Sequence, residues 1–65
     1  MTFHSIQRGN YTRFVSACGR FEIRRYHPSL SWELFDLGKR TWCDGRKLKD
    51  VKRFAVDICT TEATR

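Results

Sequence analysis

Apolar and polar residues alternate with a period close to two across residues 11–37, in the run YTRFVSA-CG-RFEIRRY-HPSL-SWELFDL. That alternation predicts strands with one buried face. Two turn signals divide it, Cys18-Gly19 and His27-Pro28-Ser29-Leu30. A two-residue loop at Cys18-Gly19 sets Phe14 opposite Ile23, Val15 opposite Glu22 and Arg13 opposite Arg24. A four-residue loop at 27–30 sets Ile23 opposite Leu34, with Arg24 facing Glu33 as a cross-strand ion pair. One face then collects Phe14, Ser16, Phe21, Ile23, Trp32 and Leu34. The other collects Tyr11, Arg13, Val15, Arg20, Glu22, Arg24, Tyr26, Glu33 and Phe35.

Beyond the meander the period changes. Apolar residues at Leu48, Val51, Phe54, Ala55 and Ile58 predict an amphipathic helix over 47–60, laid on the apolar face of the sheet. Lys49, Arg53, Val56 and Asp57 fall on its far side. A short fourth strand fits at 40–43, with Trp42 against the sheet edge or the helix, and Asp44-Gly45 marks the next turn. Residues 1–10 read as a flexible arm ahead of the turn signal Gly9-Asn10, with a short extra strand as the alternative, and residues 61–65 as a frayed tail. The expected fold is α+β, one domain over residues 1–65: a three-stranded antiparallel sheet, with room for a fourth strand, and one C-terminal helix. Phe14, Phe21, Trp32 and Phe54 are the core candidates.

Composition narrows the function. The chain carries 13 Lys and Arg against 7 Asp and Glu, a formal net charge of +6. A basic surface on so small a domain points to nucleic acid, an acidic protein surface or an anionic membrane. No apolar run approaches a membrane span or a signal peptide. Three cysteines, Cys18, Cys43 and Cys59, form no close pair and fit a reducing, cytoplasmic setting, where they serve as small apolar residues. The only histidines are His4 and His27, and no Cys-x-x-Cys or glycine-rich phosphate loop is present. These absences argue against catalysis, a metal site and a cofactor.

The remaining candidate is the outer sheet face. Arg13, Arg20 and Arg24 project there among Tyr11, Tyr26 and Phe35. Arginine binds phosphate or reads guanine edges, and aromatic rings stack on bases. Arg46, Lys47, Lys49 and Arg53 supply further phosphate contacts. The same face also suits a protein partner, with Phe35 and Val15 as anchors and arginine at the rim, or a homodimer through an edge strand.

One resemblance rests on Tyr11, the strand Gly19-Arg20-Phe21-Glu22-Ile23-Arg24, the strand Trp32-Glu33-Leu34, Gly38 and the helix start Leu48-Lys49-Asp50-Val51. This order of strands and helix resembles the DNA-binding domains of the AP2 type and the arm-binding domains of phage-type tyrosine integrases. The resemblance implies that the sheet face enters the major groove, with Arg13, Arg20, Arg24 and their aromatic neighbours making the contacts. The chain also looks like the short proteins of phages and mobile elements, which regulate DNA transactions or inhibit a host factor. Nucleic-acid binding is therefore the leading expectation, DNA ahead of RNA, and a protein–protein inhibitor or adaptor the alternative.

Overall fold

The computed structural model describes residues 1–27 and 29–63. Pro28, expected in the second turn, and residues 64 and 65 of the expected tail lie outside the described residues. Along the chain run β1 (Phe3–Arg8), β2 (Tyr11–Ser16), β3 (Phe21–Tyr26), β4 (Trp32–Asp36), β5 (Thr41–Gly45) and α1 (Leu48–Ala63). The strands form one antiparallel sheet in the order β1-β2-β3-β4-β5, so each pairs only with its neighbours in sequence. The helix packs on β3, β4 and β5.

The expected register of the central strands is the observed one: Phe14 pairs with Ile23, Ile23 with Leu34 and Arg24 with Glu33. The sheet is wider than expected. Residues 3–8 form β1 rather than an arm, pairing with β2 from Phe3 opposite Ser16 to Arg8 opposite Tyr11. Ladder hydrogen bonds satisfy the backbone of β2 whatever side chains β1 carries, which is why a strand without clean alternation forms here. Gly9 makes the return with φ +56°, a conformation open to glycine without strain. At the other edge β5 spans Thr41–Gly45, closed by a four-residue turn whose last member, Arg40, has φ +56°.

The core is formed by Phe21, Ile23, Trp32, Leu34, Val51 and Ala55. Phe14 lies beside it, its ring 5.8 Å from that of Trp32. Phe54, an expected core residue, is 38% exposed. It falls on the β5 flank of the helix, beside Gly45, instead of over the sheet centre. Gly45 itself is set by close approach: a Cβ there would stand 2.9 Å from Val51 Cγ2 and 3.5 Å from Phe54 Cε2. A Gly45→Ala chain should lose about 1–3 kcal/mol, read as a Tm at least about 5 °C lower. An unchanged Tm would mean that the helix sits higher on the sheet.

The helix runs on to Ala63, past the expected end, because its last turn is tied down. Arg20 donates Nε and Nη2 to the two oxygens of Asp36, both at 2.9 Å, and Nη1 and Nη2 to Glu62 at 2.6 and 2.7 Å. Lys39 Nζ stands 2.7 Å from the same Glu62. Asp36 Oδ1 also accepts from Gly38 N and Lys39 N, fixing the turn between β4 and β5. Bonds from Arg20 first and Lys39 second pull Glu62 down from its ordinary 4.5 to about 2, and Arg20 likewise depresses Asp36. Carboxyls depressed in the fold stabilise it fully above their ordinary values and lose that effect as pH falls through the folded ones. The stability of the wild-type chain should therefore decline between about pH 4.5 and pH 2, and Arg20→Gln should flatten that decline in acid-melting curves. Matching curves for the two proteins would remove Arg20 as the cause.

Candidate nucleic-acid interface

Side chains on the face away from the helix fall into rows that cross the strands. One row runs His4, Val15, Glu22, Phe35, Trp42, and the next Ile6, Arg13, Arg24, Glu33, Asp44. A third, at one end of the sheet, holds Arg8, Tyr11 and Tyr26. Tyr11 and Tyr26 stack with ring centroids 4.5 Å apart and planes at 21°. Tyr26 stays 58% exposed.

Glu22 is the pivot of this face. It is only 3% exposed although it stands on the side opposite the core. Arg13 and Arg24 reach it from β2 and from its own strand and both donate Nε to Oε1, Arg24 at 2.7 Å. Their side chains cover it, and Arg24 lies 4.5 Å over the Phe35 ring. The Arg24 bond chiefly, then the Arg13 bond, hold the Glu22 carboxyl below the usual range against the opposing effect of burial. The ion pair expected between Arg24 and Glu33 goes to Glu22 instead, because the neighbour two residues along lies on the same face and within reach of Nε.

Arg20, expected on this face, is placed elsewhere. It precedes β3 in the turn, where the alternation of faces has not begun, and its guanidinium turns to the helix side to bind Asp36 and Glu62. Trp42, expected against the sheet edge or the helix, stands on the outer face opposite Phe35 and is 64% exposed. The outer face thus holds Arg8, Arg13 and Arg24 against Glu22, Glu33 and Asp44, and these charges cancel.

The positive charge concentrates instead at one end of the sheet. The strand ends, turns and first helical turn at residues 8–11, 25–32 and 45–50 carry Arg8, Arg25, Arg46, Lys47 and Lys49 against the single carboxylate of Asp50. Tyr11, Tyr26 and His27 share that end. Arg46, Lys47, Lys49 and, one turn on, Arg53 are exposed and have no acidic partner among the described residues. Arg25, which the alternation places on the helix side, lies 4.4 Å over the Trp32 ring, with its buried Nε unpartnered and Nη2 3.1 Å from His27 Nε2. Lys52 stands 4.8 Å from the Phe14 ring. The sequence pattern leaves Arg8 on an arm and Trp42 against the sheet edge or the helix, and extending the register to β1 and β5 is the signal that places them on the outer face. Arg25 is set opposite Trp32 by the alternation, off the outer face, and its stacking on the Trp32 ring at the basic end is what that pattern does not carry.

A cleft of about 130 Å³ opens between β5 and α1, lined by Leu34, Asp36, Thr41, Trp42, Cys43 and Ile58. Partial desolvation, then the adjacent Asp44 carboxylate, push the Cys43 thiol up, away from the thiolate that nucleophilic chemistry needs. Cys18 and Cys43 are exposed and Cys59 is partly buried, so only Cys59 acts as the packing residue expected of all three. Among the described residues no three His, Cys, Asp or Glu side chains gather as metal ligands, and no helix is long and apolar enough to cross a membrane.

These features define a class by architecture: an α+β domain made of an antiparallel five-strand meander and one C-terminal helix. No family model, curated protein or solved structure matches the chain.

Proposed function

We propose that the chain is a small non-enzymatic binding module for nucleic acid, DNA ahead of RNA, acting in the cytoplasm where free thiols persist. The single observation that carries this reading is the segregation of charge: five cations against one carboxylate, Asp50, in the turns, strand ends and first helical turn at one end of the sheet. Phosphates are held there by Arg46, Lys47, Lys49 and Arg8, with Arg53 extending the track along the helix. The Tyr11–Tyr26 stack offers an aromatic surface on the same end, suited to an unpaired or splayed base. Arg13 and Arg24 act at the border of this site, since Glu22 already takes part of their charge.

The test is a titration of the chain with duplex DNA, single-stranded DNA and RNA at two salt concentrations. Binding that weakens steeply with salt supports the reading, and the preferred strand form separates phosphate tracking from base stacking. Failure to bind any of the three at low salt overturns it. A second reading, a protein–protein module, is favoured by the charge-balanced outer face with Trp42 exposed upon it. Such modules would suit the short regulators and inhibitors of phages and mobile elements.

A further inference from the structure

The outer face separates its charges into two blocks. Arg13 and Arg24 stand on β2 and β3, while Glu33 and Asp44 continue the same row on β4 and β5. The neighbouring row is apolar around Glu22, which Arg13 and Arg24 already bind, with Phe35 beside it on β4 and Val15 on β2 and Trp42 on β5 at its flanks. A surface whose halves are opposite is complementary to itself after half a turn.

We propose that this face is a homodimer interface, with two copies packed sheet to sheet about a twofold axis parallel to the strands and lying between β3 and β4. That rotation sets β3 over β4 of the second copy and β2 over its β5, and it keeps the rows level. Arg24 meets Glu33 of the second copy, Arg13 meets its Asp44, and Val15 covers its Trp42. Each contact occurs twice, as an isologous interface requires. Glu22 bonds only the Nε atoms of Arg13 and Arg24. Their Nη groups, without a partner among the described residues, remain for the incoming carboxylates. The two sheets stand about 10 Å apart in the aligned packing of a β-sandwich.

The alternatives fit less well. A phosphate backbone gains little from a face on which three carboxylates cancel three arginines, and Glu33 and Asp44 repel it. Pairing of β5 with itself, antiparallel and centred on Cys43, sets Arg40 of one copy against Arg46 of the other, like charge on like. The sheet-to-sheet arrangement also leaves the cationic ends of both copies on the same side, free of the interface.

The patch is small, at or below the roughly 1,200 Å² of total buried area at the low end of stable interfaces, so the dimer is concentration-dependent. Sedimentation of the full chain, without nucleic acid, from about 5 to about 500 µM covers the relevant range. The expected result is a monomer–dimer equilibrium accompanied by a blue shift in tryptophan emission, because Trp42 becomes covered while Trp32 is already buried. Glu33→Lys, Asp44→Lys and Trp42→Ala should each weaken dimerisation by about tenfold or more, with thermal melting confirming that each folds. Lys49→Ala should leave it unchanged. A chain monomeric throughout overturns the proposal, as does a dimer indifferent to substitution at 33, 44 and 42. A monomer whose DNA affinity falls in Trp42→Ala would assign the face to nucleic acid instead. Because these samples contain no nucleic acid, the outcome stands apart from that of the nucleic-acid titration.

Discussion

Replacing Arg46, Lys47 and Lys49 together by alanine is expected to weaken duplex-DNA binding by roughly thirty- to one-hundred-fold and to flatten its salt dependence by between two and three phosphate contacts, about 0.9 in log–log slope for each. All three are exposed, and none has an acidic partner among the described residues. Their full charge is thus available to a phosphate, and removing it strands no carboxylate. Folding should not suffer. Lys47 and Lys49 stand at the positive end of the helix dipole, where a cation costs a few tenths of a kcal/mol or more, so the triple variant should melt at or above the wild-type temperature. Arg13→Ala offers the contrast. Its charge is already shared with buried Glu22, so its effect on the salt slope should be small while its effect on stability is not. Fluorescence anisotropy across a salt series reads both quantities. A full-sized slope change in Arg13→Ala, with none in the triple variant, would move the phosphate track to the outer face.

The second large effect falls on the fold. Phe21→Ala is expected to cost about 3–5 kcal/mol, the range for truncating a fully buried phenylalanine. Phe21 is wholly buried at the start of β3. Its N–H is fixed by Ser16 Oγ at 3.0 Å, and Arg20 lies 4.9 Å over its ring. A 65-residue domain holds about 3–10 kcal/mol in all, so the variant should be largely unfolded or melt near room temperature. Urea denaturation followed by circular dichroism gives the figure. Phe54→Ala, a deletion of the same size at a site 38% exposed, should cost much less. Equal losses at the two positions would mean that the helix buries Phe54 more deeply in solution.

The central strands were legible because their alternation is strict: shifting β2, β3 or β4 by one residue would turn Phe14, Phe21, Ile23 and Leu34 to water. The two outer strands were legible only in part. β1 has Phe3 on the helix side and Ile6 on the other, and what holds it is the backbone ladder, which leaves no mark on side-chain pattern. β5 was foreseen as a short strand, but the placement of Trp42 depended on a register that its four-residue turn alone could set. The helix was anticipated up to the turn where Arg20, Lys39 and Glu62 meet. Arg20 and Glu62 lie 42 residues apart, a separation that periodicity does not see. For the site, residue types suggested a basic outer face, whereas the full register shows that face to be neutral and shifts the cations to its end. Net charge states how much is present, and only topology states where.

The meander has a further consequence for how the molecule is made. Every strand pairs with the one just before or after it, so sheet assembly proceeds through loops of two to five residues and does not wait for distant chain. Such low contact order favours rapid folding, and the strands can add one by one as synthesis proceeds. The core, however, closes only when Val51 and Ala55 arrive with the helix. Until then a finished sheet displays Phe21, Ile23, Trp32 and Leu34 to solvent. That interval, between the emergence of β5 and the docking of the helix, is when the nascent protein is most exposed to aggregation and to capture by chaperones.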